Sequence, residues 1–95
     1  LDLFAVPPDD LRHLLAEAAR LKAARKRGDR PTPLAGKVVG LVFEKPSLRT
    51  RVSFEAGVAQ LGGSSLFLPG NEVGLGWRET LADFARTVGR YVDAI

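Results

Sequence analysis

The chain has 95 residues, enough for one domain or part of one and too few for two ordinary cores. Its 45% hydrophobic and 26% charged residues are those of a folded globular chain and exclude a disordered or fibrous class. The net charge of +3 is mild, and the lack of cysteine excludes disulfide scaffolds, thiol catalysis and thiolate metal sites within this sequence, in keeping with a cytoplasmic protein.

The first element in chain order is a helix over about Pro8 to Arg27. Pro8 suits the first helical position, where its missing N–H costs nothing, and Asp9 and Asp10 meet the positive end of the dipole. Leu11, Leu14, Leu15, Ala18 and Leu21 form one stripe at helical spacing, and Gly28 supplies a stop. His13, the single histidine, falls roughly opposite that stripe and reads as a solvated surface residue, so no histidine-rich metal site is expected. The opening "LDLFAVPPDD" lacks the basic start and apolar core of a secretory signal. No apolar run reaches the roughly 20 residues of a membrane span. Six of the fourteen basic residues lie between Arg20 and Arg30. Cations there suit the end of a helix dipole and a solvated face, and no aromatic residue is interleaved to stack on bases. Neither a nucleic acid nor a membrane is expected as a partner.

After the linker "GDRPTPLAG", the continuous apolar run "KVVGLVF", Lys37 to Phe43, predicts a strand covered on both faces, as in a parallel sheet. A second helix is predicted over roughly Arg49 to Leu61. Phe54, Val58 and Leu61 lie on one stripe of it, and Val52, Ala56 and Ala59 on a smaller one that allows close approach to a neighbouring backbone. "SSLFLP" is a second short strand. The loop "GNEVGLGW" leads to a third helix from about Glu79 to Arg90, where Leu81, Phe84, Ala85 and Val88 share a face, and "YVDAI" starts a third strand. The alternation predicts an α/β fold, a parallel sheet with flanking helices joined by right-handed crossovers. The chain has no methionine, not even an initiator, and it stops as a new apolar segment opens. It is expected to be part of something longer.

The segment "EKPSLRTR", Glu44 to Arg51, lies where the first strand gives way to the second helix. In an open parallel sheet, ligands bind beyond the carboxyl ends of the strands, at loops that run into helix N-termini. Such a terminus offers unpaired N–H groups and a partial positive charge, which suit a phosphate. Ser47 and Thr50 add hydroxyl donors, and Arg49 adds a planar, permanently charged fork. A basic residue in the first helical turn works against the dipole, which points to an anion arriving there. Local readings stand beside this one: Ser47 as an N-cap, and Arg51 as the partner of Glu55 in an i,i+4 ion pair. The sequence holds no G-x-x-x-x-G-K-[ST] loop and no G-x-G-x-x-G after the first strand, so the expected anion is a compact phosphate compound rather than a nucleotide.

"FEKPSLRTRVSFE" resembles the Ser-Thr-Arg-Thr-Arg segment of the aspartate/ornithine carbamoyltransferase family, and its "FEKPS" approach is similar to the ornithine branch. "LAGKVVGLVFEKPSLRTRVSFEAGVAQLGG" and "RETLADFARTVGRYVDAI" carry the resemblance over nearly the whole chain. It implies two α/β domains, the N-terminal one for carbamoyl phosphate and the C-terminal one for the amine acceptor. Residues 1–95 would form part of the first, and the second would be absent. It further implies that Ser47, the backbone at Leu48, Arg49 and Thr50 hold the phosphate of carbamoyl phosphate. The acceptor's amine would attack the carbonyl near Thr50, and Arg49 would be the catalytic residue that stabilises charge on the leaving phosphate. Catalysis would rest on positioning and electrostatics, with no covalent enzyme intermediate, metal or organic cofactor. Arg51 is assigned only the bracing of the helix.

The resemblance points to an ornithine carbamoyltransferase of arginine biosynthesis, cytoplasmic and built as a homotrimer. A transferase for acetylornithine or putrescine and a non-catalytic anion-binding relative are the alternatives. Two departures from the family pattern bear on this. Leu48 stands where the family usually has threonine, which removes a hydroxyl donor and leaves the backbone. Gly74-Leu75-Gly76 stands where ornithine-type sequences commonly carry Gln-Leu-Gly, whose glutamine reaches the phosphate in a neighbouring subunit. Trp77 and Arg78 follow, either as substitutes for that contact or as loop packing.

Overall fold

The computed structural model describes residues 3–74 and 80–95. The chain divides into two compact units, Leu1–Pro31 and Thr32–Ile95. The first holds a 3₁₀ turn, Leu3–Ala5, and helix α1, Pro8–Lys26. Pro7 occupies the N-cap and its carbonyl accepts from Leu11 N–H at 3.1 Å, while Asp9 and Asp10 lie in the first turn and Arg25 and Lys26 in the last. Charges are thus placed as the dipole favours at both ends. His13 is exposed, as expected. The leucine stripe is only partly covered: Leu11 and Leu21 are half-buried, and Leu14 and Leu15 are exposed. Three of the six cations between Arg20 and Arg30 bond within their own segment, Arg20 to Glu17, Arg27 to Asp29, and Arg30 to the Arg25 and Asp29 carbonyls. The hydrogen bond from Arg20 holds the Glu17 carboxyl below its ordinary pKa.

The second unit is built on two parallel strands. β1, Val38–Phe43, pairs with β2, Ser64–Pro69, in a register that runs from Val38 opposite Ser64 to Phe43 opposite Pro69. Helix α2, Leu48–Gln60, makes the crossover between them. Leu41 on β1 and Val58 on α2 are buried, as are Phe84 and Val92 further along. Of the predicted α2 stripe of Phe54, Val58 and Leu61, Val58 is buried, Leu61 is half-buried and Phe54 is exposed. Val52, Ala56 and Ala59 are exposed, so the predicted close approach of the small stripe is not made among the described residues.

α2 ends in a paired hydrogen-bond motif, Gly63 N–H to Val58 O at 2.9 Å and Gly62 N–H to Ala59 O at 3.0 Å, with Gly62 at φ +89°. A Cβ on Gly62 would also stand 2.7 Å from Thr32 Cβ. Gly62→Ala is expected to cost about 1–3 kcal/mol of stability, read by urea denaturation. A loss within error of zero would show that this turn can relax.

Two further features differ from the sequence expectation. The loop after β2 contains a short helix, α3, Gly70–Val73, with Pro69 at its N-cap position and Gly74 ending it at φ 69°. Four residues are too few to show a helical period, so the sequence carried no sign of it. The expected third strand is a single parallel bridge, Val39 to Ala94. Gly40 N–H bonds Ala94 O, and Asp93 N–H bonds Val38 O, both at 2.8 Å. The Asp93 carboxylate returns to accept Val38 N–H at 2.8 Å, closing the entry to β1. The last helix, α4, Leu81–Val88, starts where Thr80 Oγ1 accepts from Asp83 N–H at 3.2 Å and stops at Gly89. Glu79, the predicted start, lies outside the described residues.

Candidate functional site

β1 ends at Phe43, and Pro46, which has no N–H to give a sheet, separates it from α2. Ser47 takes the N-cap position with φ −152° and ψ 80°, but its side chain makes no capping bond. Its hydroxyl donates instead to Thr50 Oγ1 at 3.0 Å. The local capping role is thus unfilled, although the position is the one predicted. The first bond inside the helix runs from Arg51 N–H to Ser47 O at 3.0 Å, which leaves the N–H groups of Leu48, Arg49 and Thr50 ahead of it. No acidic side chain stands in this first turn. The charged side chains from Glu44 to Glu55 are three cations, Lys45, Arg49 and Arg51, against the carboxylates of Glu44 and of Glu55, the latter paired with Arg51. A helix start with unpaired donors and positive side chains is suited to a small anion.

A cavity of about 490 Å³ opens beside this turn, lined in part by Lys45, Ser47, Leu48, Arg51 and Phe67. That volume falls in the ordinary range for small-molecule sites, about 300–1,000 Å³. Of the residues singled out in the sequence, Ser47 and Leu48 line the cavity, and Thr50 is joined to it through the Ser47 hydroxyl. Arg49 is exposed and outside the lining, with its carbonyl held by Ser53 Oγ at 2.8 Å and its guanidinium unpaired among the described residues. Arg51 makes the predicted pair with Glu55, Nε to Oε1 at 3.2 Å. It also lies on the Phe67 ring, 3.5 Å from the centroid, and lines the cavity. Sequence reading missed that placement, and it missed Lys45 and Asn71 as further lining residues. Lys45 adjoins the motif and was there to be found. Phe67 and Asn71 come from after the crossover, and no local pattern ties them to it. Of the departures at Gly74 to Arg78, Gly74 is buried at the end of α3, and Leu75, Gly76, Trp77 and Arg78 lie outside the described residues.

The importance of the free N–H groups can be tested at Leu48. Proline is favoured at a first helical position, and Ser47 already lies outside the helical region, as a residue before proline requires. Leu48→Pro in the full-length protein is expected to keep its melting temperature and to bind inorganic phosphate about tenfold more weakly, through loss of one charge-assisted bond. Unchanged affinity by titration calorimetry would remove the Leu48 backbone from the site.

The family model described as aspartate/ornithine carbamoyltransferase, carbamoyl-P binding domain, matches residues 1–95. An ornithine carbamoyltransferase of Agrobacterium fabrum is 56% identical over 95 residues, which is 100% of this chain and 31% of that protein. The chain therefore spans about a third of the length of the curated relatives it matches. The solved ornithine carbamoyltransferase from Pyrococcus furiosus is similar with a TM-score of 0.87 and 44% identity, covering 92% of this chain and 28% of that one. A variant N-acetyl-L-ornithine transcarbamylase solved with carbamyl phosphate and N-succinyl-L-norvaline is similar with a TM-score of 0.82 and 37% identity, over 98% of this chain and 30% of that one.

Proposed function

The chain belongs to the aspartate/ornithine carbamoyltransferase family, and from this we propose that it is the carbamoyl-phosphate-binding part of an ornithine carbamoyltransferase. The full-length protein would convert carbamoyl phosphate and ornithine to citrulline and phosphate. The observation that carries the reading is the start of α2, where three N–H groups stand free of intrahelical bonds beside a cavity lined by Ser47 and Leu48. The α/β fold with a parallel sheet and flanking helices supports it, as do relatives named ornithine carbamoyltransferase at 50–56% identity.

In this mechanism Ser47, Thr50 and the N–H groups from Leu48 to Thr50 hold the phosphate, and Arg49 swings to it from its exposed position. The neutral amine of the acceptor attacks the carbonyl carbon, a tetrahedral intermediate forms, and the C–O bond to phosphate breaks as the nitrogen loses a proton to the departing phosphate. The charge that grows on the leaving phosphate is met by fixed donors and by the Arg49 guanidinium, so no covalent enzyme intermediate is required. Residues 1–95 form part of the N-terminal domain, and the acceptor is bound by a domain beyond this sequence. A cytoplasmic homotrimer working in arginine biosynthesis completes the proposal. Acetylornithine is the alternative acceptor, favoured by the likeness to the N-acetyl-L-ornithine transcarbamylase at 37% identity.

The test is an assay of the full-length protein with carbamoyl phosphate and a panel of ornithine, acetylornithine and putrescine. Citrulline from ornithine is the expected product. Carbamoyl transfer to acetylornithine alone would move the assignment to that branch, and transfer to none would leave an anion-binding relative without catalysis.

A further inference from the structure

We propose that Arg51 is a positioning residue for the anion site: its guanidinium ties the first turn of α2 to Phe67 of β2 and, through that ring, to Phe43 at the end of β1, and fixes the angle at which the helix N-terminus meets the cavity. The inference rests on the reading of this cavity as the carbamoyl-phosphate site.

Arg51 carries the first N–H used inside α2, and its side chain leaves the helix toward the sheet. Nε donates to Glu55 Oε1 at 3.2 Å, one turn along, while the guanidinium carbon lies 3.5 Å from the centre of the Phe67 ring. That ring meets Phe43, the last residue of β1, edge-on with centroids 5.9 Å apart. Contacts therefore run without a break from Glu55 through Arg51 and Phe67 to Phe43. Arg51, Phe67 and Phe43 all line the cavity that Ser47 and Leu48 line.

The first turn of a helix is held weakly, because its leading N–H groups lack partners, and a side-chain cap normally steadies it. Here the Ser47 hydroxyl is bonded to Thr50 and caps nothing. Arg51 replaces the cap from the sheet side. A planar guanidinium can lie on a ring face and donate in its own plane to a carboxylate at once, which a lysine ammonium cannot. The Arg51 and Glu55 side chains are 40% and 36% exposed, so their pairing adds little to stability by itself. Its consequence is orientation, and orientation is read in binding.

The experiment uses the full-length protein and inorganic phosphate as the probe, with calorimetric Kd, KM for carbamoyl phosphate, kcat and melting temperature measured for each variant. Arg51→Lys is expected to melt close to the parent and to bind phosphate about tenfold more weakly, with KM raised more than kcat is lowered. Phe67→Leu is expected to shift binding the same way, and the double variant to bind no more weakly than either single one, since both break one tether. If Arg51→Lys fails to fold, Phe67→Leu and Glu55→Gln carry the same comparison. Parent-like phosphate affinity in these variants, with or without a loss of melting temperature, would overturn the inference and leave Arg51 a bracing residue. Additive losses in the double variant would overturn it too, by showing that Arg51 acts independently of Phe67. A parent protein that binds no phosphate would overturn the reading of the cavity itself.

Discussion

Arg49→Ala in the full-length protein is expected to lower turnover by about 10²–10³-fold and to weaken phosphate binding, with no loss of stability. The two halves of that expectation have separate causes. Arg49 is exposed and has no ion pair among the described residues, so its removal breaks no contact that holds the fold. It is a cation in the first turn of a helix that has no acidic residue there, an arrangement the helix dipole opposes. Alanine is also at least as good a helix former. The melting temperature should therefore stay level or rise slightly. On the proposed mechanism the lost activity would come from the transition state, where charge gathers on the departing phosphate and a guanidinium fork has most to offer. Steady-state kinetics beside a thermal melt would read both. A fall in melting temperature with full activity would reverse the assignment and make Arg49 a structural residue.

The second large effect is expected at Gly70, at the start of α3. A Cβ there would stand 2.9 Å from Glu44 Cα and 3.2 Å from Phe43 O. Both neighbours are backbone, so they cannot turn aside as a flexible side chain would. Gly70→Ala must move either α3 or the segment that leads from β1 into Ser47. Overpacking of this kind costs about 1–3 kcal/mol. The displacement also falls on the cavity wall, since Phe43, Glu44 and Asn71 line it. Phosphate affinity should drop together with stability, by about tenfold. Gly62→Ala, whose strain lies at the opposite end of α2, should lower stability and leave phosphate affinity alone. Equal effects of the two variants on phosphate binding would mean that the fall at Gly70 is general loosening rather than local displacement.

Much of this architecture was legible in the sequence because the signals were periodic and local. α1 was predicted over about Pro8 to Arg27 and runs from Pro8 to Lys26, and β2 is the quoted "SSLFLP". The parallel pairing followed from the alternation of strand and helix, and β1 and β2 pair that way. What the sequence hid has physical reasons. α3 is a single turn, and its four residues cannot display a period. The third strand is one bridge, held by Asp93 and Ala94, because pairing needs a partner edge whose extent no local pattern records. The exposure of Leu14, Leu15, Val52 and Phe54 shows that an apolar stripe announces a face suited to burial without saying what covers it.

The candidate site was legible in kind more than in arrangement. Hydroxyls, an N-terminal helix turn and arginines after a strand suggested an anion site on chemistry alone, and that ligand remains the proposal. The local alternatives separate in the structure. Ser47 sits at the N-cap but spends its hydroxyl on Thr50, which leaves the N–H groups available. Arg51 does pair with Glu55, yet its ring contact with Phe67 brings it to the cavity, a placement set by a residue sixteen positions away in sequence. Such a contact depends on the crossover and the sheet register, and short-range reading does not reach it.

The most direct measurement is a crystal structure of the full-length protein with carbamoyl phosphate bound. Phosphate oxygens are expected within hydrogen-bond distance of Ser47 Oγ, of the N–H groups of Leu48, Arg49 and Thr50, and of the Arg49 guanidinium. Phosphate seated elsewhere, with the first turn of α2 unoccupied, would contradict the account.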